Sequence, residues 1–262
     1  METLTMEYIQ SFTVDRQGVI VLNRGEKRNA LAPQMVAELK SAFKTHAIDA
    51  SVRVIVLRST GAVFSAGADL AYLRELQQFG YAENLADSGS LKDLYHQIYT
   101  CPKPVIAQVQ GHAIAGGCGL VTACDFVFAA PEAQFGYTEV RIGFIPAIVM
   151  SLLVRRIGEG HARRLLLSGE LISADTALQV GLVTRVVDAA ELQSKVDEFS
   201  AQIARDNSGE AMAVTKQMLA DIQSMSLQDA LSHGVEMNAK ARATDDCRRG
   251  VEAFLQREKV NW

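Results

Sequence analysis

The chain has 262 residues, with 26 Lys+Arg against 30 Asp+Glu and a formal net charge of −4. That balance excludes an extended nucleic-acid surface, which needs a basic face to release counterions. At 48% hydrophobic and 21% charged residues, the composition is that of a globular protein with a sizeable core, not a disordered tail or a fibre.

In chain order, Val14 to Asn23 contains a turn signal, Asp15-Arg16-Gln17-Gly18, followed by Val19-Ile20-Val21-Leu22, so the chain opens with a hairpin whose second strand is buried. Pro33 stands where a first helical residue belongs, and Met35, Val36, Leu39 and Phe43 then recur at helical spacing. Val52 to Leu57, Pro104 to Gln110 and Asp125 to Ala129 are further strands, short and largely apolar, as strands covered on both faces are. Strand runs alternating with helical patterns predict an α/β fold with parallel strands. After about Ser173 the texture becomes helical, apart from a strand-like run at Leu182 to Val187. Ser226 and Asp229 form a capping-box-like start for a helix carrying Leu227, Leu231 and Val235, and a last helix carries Val251, Phe254 and Leu255 on one face. The expected organisation is a core over 1–190 and a helical region over 191–262, whose apolar stripes need burial against that core or a neighbouring subunit.

The four cysteines (Cys101, Cys118, Cys124, Cys247) form no CxxC pair, and the five histidines no HxxxH, so no metal site is expected and the thiols read as reduced and packed. Met1 to Asp15 lacks a basic-then-apolar leader, and the uncharged stretch from Pro104 to Cys124 is broken by Gln108, Gln110, His112 and glycines. A cytoplasmic protein without membrane or nucleic-acid partners is the expectation.

Three segments could carry chemistry. Phe64 to Leu70 joins a strand to a helix through small residues, whose backbone can approach an anionic oxygen; the plainer reading is a tight turn with Asp69 as a helix-start acid. Gly111 to Gly119 is a second such loop, and two of them at the ends of parallel strands could aim two N–H donors at one oxyanion. The glycine run misses a dinucleotide fingerprint at Thr122 and has no Gly-Lys-Ser/Thr, while Ser65 lacks the glycine of a nucleophile elbow. In the third segment, Phe135 to Pro146, Glu139 stands among largely apolar residues, where a carboxyl pKa rises and suits proton transfer, unless the side chain pairs with Arg141 or Arg155.

Together with Leu22 to Leu31 and with Arg163 to Val183, these segments resemble the crotonase family, the enoyl-CoA hydratase/isomerase superfamily, over essentially the whole chain. The resemblance implies a ββα-spiral core, trimerisation through the C-terminal helices, often as a dimer of trimers, and an acyl-CoA thioester as substrate. No separate cofactor is implied, because coenzyme A is part of the substrate. By motif position the N–H groups of Ala68 and Gly116 would hold the thioester oxygen and Glu139 would be the acid/base. Glu26, Lys27, Arg28, Ala66, Asp69 and Leu70 would line the CoA groove, with Lys27 or Arg28 near phosphate. Phe254 and Lys259 resemble positions that reach CoA, sometimes from an adjacent subunit; helix packing and a solvated tail are their plainer readings. Helices between Tyr72 and Tyr99 would wall the acyl pocket.

Hydratases of this family typically carry a glutamate where this chain has Gly119, and a second at Glu139. A single carboxylate suffices for a 1,3-proton shuttle, the isomerase reaction; hydration needs that group to serve both roles, or a neighbour such as Tyr137 to help. The stretch Tyr137 to Ile148 resembles a bacterial branch of branched-chain and isoprenoid-type acyl-CoA breakdown that includes methylglutaconyl-CoA hydratases, and this favours hydration. The rivals are a nicotinamide-dependent oxidoreductase using the glycine loop and a catalytically silent scaffold binding acyl-CoA or RNA.

Overall fold

The computed structural model describes residues 6–260 and 262, and for Leu70 the backbone only. Strands β1 (Ile9–Val14) and β2 (Gln17–Leu22) form the expected hairpin, with a loop reduced to Asp15-Arg16. Both loop residues have positive φ, 45° and 67°, the requirement of a two-residue turn matched to strand twist. Gln17 is therefore already in the strand. Helix α1 (Pro33–Ile48) starts on Pro33 and buries Met35, Val36, Leu39 and Phe43, as their spacing predicts.

The chain continues through β3 (Val54–Ser59), α2 (Leu70–Leu76), α3 (Tyr81–Tyr99), β4 (Val105–Val109), β5 (Ala113–Ile114), α4 (Gly116–Ala123), β6 (Phe126–Ala129) and β7 (Gln134–Gly136). It then forms α5 (Ala147–Ser168), β8 (Leu171–Ser173), α6 (Ala174–Gln179), β9 (Arg185–Val186), α7 (Leu192–Asp206), α8 (Gly209–Asp221), α9 (Leu227–Ala241) and α10 (Asp245–Gln256). The main sheet has the order β1-β2-β3-β4-β6-β9, parallel from β2 onward.

This sheet is covered on both faces, and β3 shows how. Successive side chains of a strand point to opposite faces. Ile55 and Leu57 join a large core with Leu39, Phe43, Leu94 and Ile98 of α1 and α3, whereas Val54 and Val56 pack with Leu192, Val196 and Ala204 of α7. The helical region following residue 190 thus begins with a helix laid on the sheet. Cys101, Cys118 and Cys124 are buried, and all four cysteines are free thiols.

A second sheet, of order β5-β7-β8, has strands of two or three residues that no pattern in the sequence marks. β5 and β7 run parallel, with Ile114 opposite Gly136. The C-terminal ends of the two strands therefore deliver Gly116 and Glu139 to the same edge. Among the described residues no helix is long and apolar enough to cross a membrane, and no cluster of His, Cys, Asp and Glu has the makings of a metal site.

Candidate active site

Residues 28–31 run alongside residues 65–69. The Ala66 N–H donates to the Arg28 carbonyl (3.0 Å), Leu31 N–H to the Gly67 carbonyl (2.7 Å) and Asp69 N–H to the Leu31 carbonyl (3.1 Å). Asn29, fully buried at φ 50°, clamps the pair: its Nδ2 donates to the carbonyls of Thr60 (2.8 Å) and Val63 (2.9 Å), and its Oδ1 accepts from Arg24 N–H (2.9 Å). Ser65 Oγ donates to the Asn29 carbonyl at 2.8 Å.

The loop of Gly67 lies directly on that of Gly116. A Cβ built on Gly67 would sit 2.9 Å from Ala115 Cβ and 3.4 Å from Gly116 N, and one on Gly117 would sit 2.5 Å from the Ser65 carbonyl oxygen. Only glycine permits this approach. Ala115, between β5 and α4, holds φ 50° and ψ −125°, a conformation that costs an alanine free energy and persists only where neighbours impose it. Its N–H is tied to the Gly136 carbonyl at 2.8 Å. Among the described residues, the loop network gives neither the Ala68 N–H nor the Gly116 N–H an acceptor. Two backbone donors at the meeting of two loops, one of them at a helix start, suit an oxyanion.

Glu139 begins a 3-10 turn, Glu139–Ile142, which follows β7 after Tyr137 and Thr138. It does not pair with Arg155, which instead donates to the Ser151 carbonyl at 2.7 Å, nor with Arg141 of its own turn. The Glu139 Oε2 is buried without a hydrogen-bond partner among the described residues, and burial pushes the carboxyl above its ordinary range. A buried carboxylate oxygen with uncommitted lone pairs is fitted to take up and release a proton. Tyr137, the neighbour that could help a lone carboxylate in hydration, is fully buried with its hydroxyl 2.5 Å from Thr122 Oγ1, so it belongs to the core behind the site.

Asp69 is the N-cap of α2: Oδ1 accepts from the N–H groups of Ala71 (2.8 Å) and Tyr72 (3.3 Å), and Oδ2 from Arg24 at 2.6 Å. Burial alone would raise its carboxyl, but the Arg24 bond and the two amides outweigh it and hold the group below the usual range. Asp69 thus shapes the loop through the backbone. Glu26, Lys27 and Arg28 lie on and just after an exposed 3-10 turn beside Ala66, while the Leu70 side chain lies outside the described residues. Phe254 is 82% exposed on α10, and Lys259 lies near Asp206 at the end of α7. The structure therefore brings together residues 26–28, 66–69, 116 and 139, and places Phe254 and Lys259 in the C-terminal region.

Sequence reasoning does not single out Asn29, Ala115 or Tyr95. Tyr95, on α3, donates its hydroxyl to the Gly116 carbonyl at 2.8 Å. Helical spacing marks a buried face but not which buried tyrosine reaches a loop.

A parallel α/β framework whose strand-to-helix loops meet beside a buried carboxylate is that of an enzyme. More specifically, the chain belongs to the enoyl-CoA hydratase/isomerase family, whose model matches residues 16–262. A Thermus thermophilus protein whose name assigns it provisionally to the enoyl-CoA hydratases is 41% identical over 91% of this chain and 94% of its own. The crotonyl-CoA hydratase of Syntrophomonas wolfei is 32% identical over 95% of both chains. The crystal structure of an enoyl-CoA hydratase from Shewanella pealeana superposes with a TM-score of 0.93 at 29% identity, covering 98% of this chain and 97% of the other. The fold is the crotonase fold.

Proposed function

We propose that the protein is an enoyl-CoA hydratase that adds water to a 2-enoyl-CoA thioester. The observation that carries this reading is the meeting of the uncommitted Ala68 and Gly116 amides next to β7, whose following turn carries Glu139. In the forward step, the Glu139 carboxylate takes a proton from water as the water oxygen bonds to C3. The electron pair of the C2=C3 bond moves to form a thioester enolate, whose oxygen the two amides stabilise. The carboxyl then returns a proton to C2, so the carboxylate is regenerated. Glu26 to Arg28, with Ala66, Asp69 and Leu70, line the CoA groove, and Lys27 or Arg28 meets phosphate; their place on the exposed turn beside the Ala66 loop supports this. Phe254 and Lys259 reach CoA from an adjacent subunit of a homotrimer or dimer of trimers, a reading supported by the exposure of Phe254 in the single chain.

The isomerase reading rests on one observation. A Cβ at position 119 would lie 2.5 Å from Val149 Cγ1 and 2.9 Å from Tyr95 Cζ and Oη, so the place of a second glutamate is filled. Glu139 alone could remove a proton at C2 of a 3-enoyl-CoA and return it at C4.

The test is incubation with crotonyl-CoA, a 3-enoyl-CoA and 3-methylglutaconyl-CoA, followed by product masses. Hydration adds one water; isomerisation leaves the mass unchanged. Glu139→Gln is expected to bind the esters normally and to lose about 10²-fold or more in turnover. An unchanged rate removes Glu139 from the mechanism. Binding of acyl-CoA by the unaltered protein without any product identifies the silent scaffold instead.

A further inference from the structure

The Tyr95 hydroxyl stands over the first turn of α4. A Cβ on Gly116 would lie 3.1 Å from it, and one on Gly119 2.9 Å, so the phenol and the glycines form one packing unit. The side chain is 1% exposed. Burial, with the Glu139 carboxylate nearby, pushes the phenol far above its ordinary range, so it remains a neutral donor at every working pH.

The hydroxyl donates to the Gly116 carbonyl, 2.8 Å away. The Gly116 N–H belongs to the peptide on the other side of the same α-carbon, next to Ala115 with its unfavourable φ of 50°. Such a conformation persists only where the surrounding structure over-determines it. Upstream, the Ala115 N–H is fixed by Gly136. Downstream, the Ala115 carbonyl accepts from Gly119 N–H at 3.0 Å, and Tyr95 adds a second tie at the Gly116 carbonyl.

We propose that Tyr95 is a positioning residue for this reaction, acting through Gly116 to keep its N–H aimed at the thioester oxygen. The inference rests on the reading of Gly116 as an oxyanion donor. A phenol at this place also gives the glycine-walled turn a donor that does not ionise, next to the carboxylate of Glu139.

The experiment uses crotonyl-CoA labelled with carbon-13 at the thioester carbonyl, bound to Glu139→Gln so that it is consumed slowly, and reads the carbonyl stretching frequency before turnover. The expected result is a frequency lowered from that of free ester in Glu139→Gln and moved back toward the free value in Glu139→Gln/Tyr95→Phe. Tyr95→Phe alone should lose on the order of tenfold in kcat, less than outright deletion of an oxyanion donor, with KM within about twofold. Val149→Ala, which loosens packing against Gly119 without touching a hydrogen bond, should leave the frequency in place.

An identical frequency with and without the Tyr95 hydroxyl overturns the proposal, as does an equal displacement in Glu139→Gln/Val149→Ala. If Glu139→Gln itself leaves the frequency at the free value although the ester is bound, the oxyanion reading of Gly116 fails, and the role of Tyr95 falls with it.

Discussion

The core and the C-terminal helices treat similar apolar patterns in opposite ways. In α1 the residues at helical spacing are buried within the chain: Met35, Leu39 and Phe43 have no exposure at all. In α9 the stripe Leu227, Leu231, Val235 is as regular, and each of its members is more than half exposed. Amphipathicity sets which face of a helix needs cover, not what covers it. The core meets that need with two helical layers on a sheet. Polar contacts tie α8 and α10 to their surroundings: Ser208 Oγ donates to Asp246 at 2.6 Å, and the Arg249 guanidinium lies 4.6 Å from the Trp262 ring centre.

A further tether is Lys216 on α8. Its Nζ donates to Asp125 Oδ2 (2.6 Å) and to the carbonyls of Ile98 (3.1 Å) and Lys103 (3.2 Å), while Asp125 also accepts from Val105 N–H at 2.7 Å. One ammonium thus joins the C-terminal region to the ends of α3, β4 and α4. Lys216→Met leaves the Asp125 carboxylate and two carbonyls without that donor, and removal of one partner from a buried pair costs roughly 3 kcal/mol. For a chain of this size the melting temperature is expected to fall by about 6 °C. A fall of only a degree or two in a calorimetric scan would mean that the two regions are joined by something other than this clasp.

A smaller effect separates the site from the core around it. Burial raises the Glu139 carboxyl, so the folded chain holds that proton more tightly than the unfolded chain does. Between the unfolded and the raised folded pKa the native state binds more protons, and stability therefore decreases as pH rises through that window. Above it the carboxylate is ionised and the cost is complete. Glu139→Gln never ionises, so above the window it should be more stable than the parent, by well under about 1 kcal/mol because the group is partly solvated. Turnover in the parent should fall as pH drops through the same raised pKa. Denaturant titrations across pH check the sign: a variant less stable than the parent at high pH would place the carboxylate in a favourable environment, not a desolvated one.

β2, β3 and β4 are legible in the sequence because they carry runs of β-branched residues, and α1 because Pro33 and four apolar positions agree on one frame. The second sheet is not, since β5, β7 and β8 have two or three residues each and acquire meaning only on pairing. Yet this sheet sets Gly116 beside Glu139. The motifs point to the donors and the acid without showing how they meet. Asp69 reads in the sequence as a helix-start acid or as part of the CoA groove; its geometry is that of an N-cap that also holds Arg24. Ala115 gives no signal, because alanine is not a residue that favours positive φ, and its strain is imposed by contacts distant in sequence. Tyr95 lies in a helix whose own pattern marks a buried face and nothing of what the hydroxyl reaches.

The smallest effect on the chain itself falls where the two regions differ most. Leu231 and Val235 are exposed on one face of α9, so Leu231→Glu/Val235→Glu removes little that a single chain buries, and the isolated chain should change by no more than about 0.5 kcal/mol per site. If α9 meets a neighbouring subunit in the proposed trimer, the same charges must be desolvated there without partners, at a cost several times larger. The variant is therefore expected to scatter light as a particle of 28.5 kDa, one chain, with its fold intact by circular dichroism. An assembly that keeps its mass with both glutamates in place would mean that the stripe on α9 is not what joins the subunits, and the contrast with α1 would need another cause.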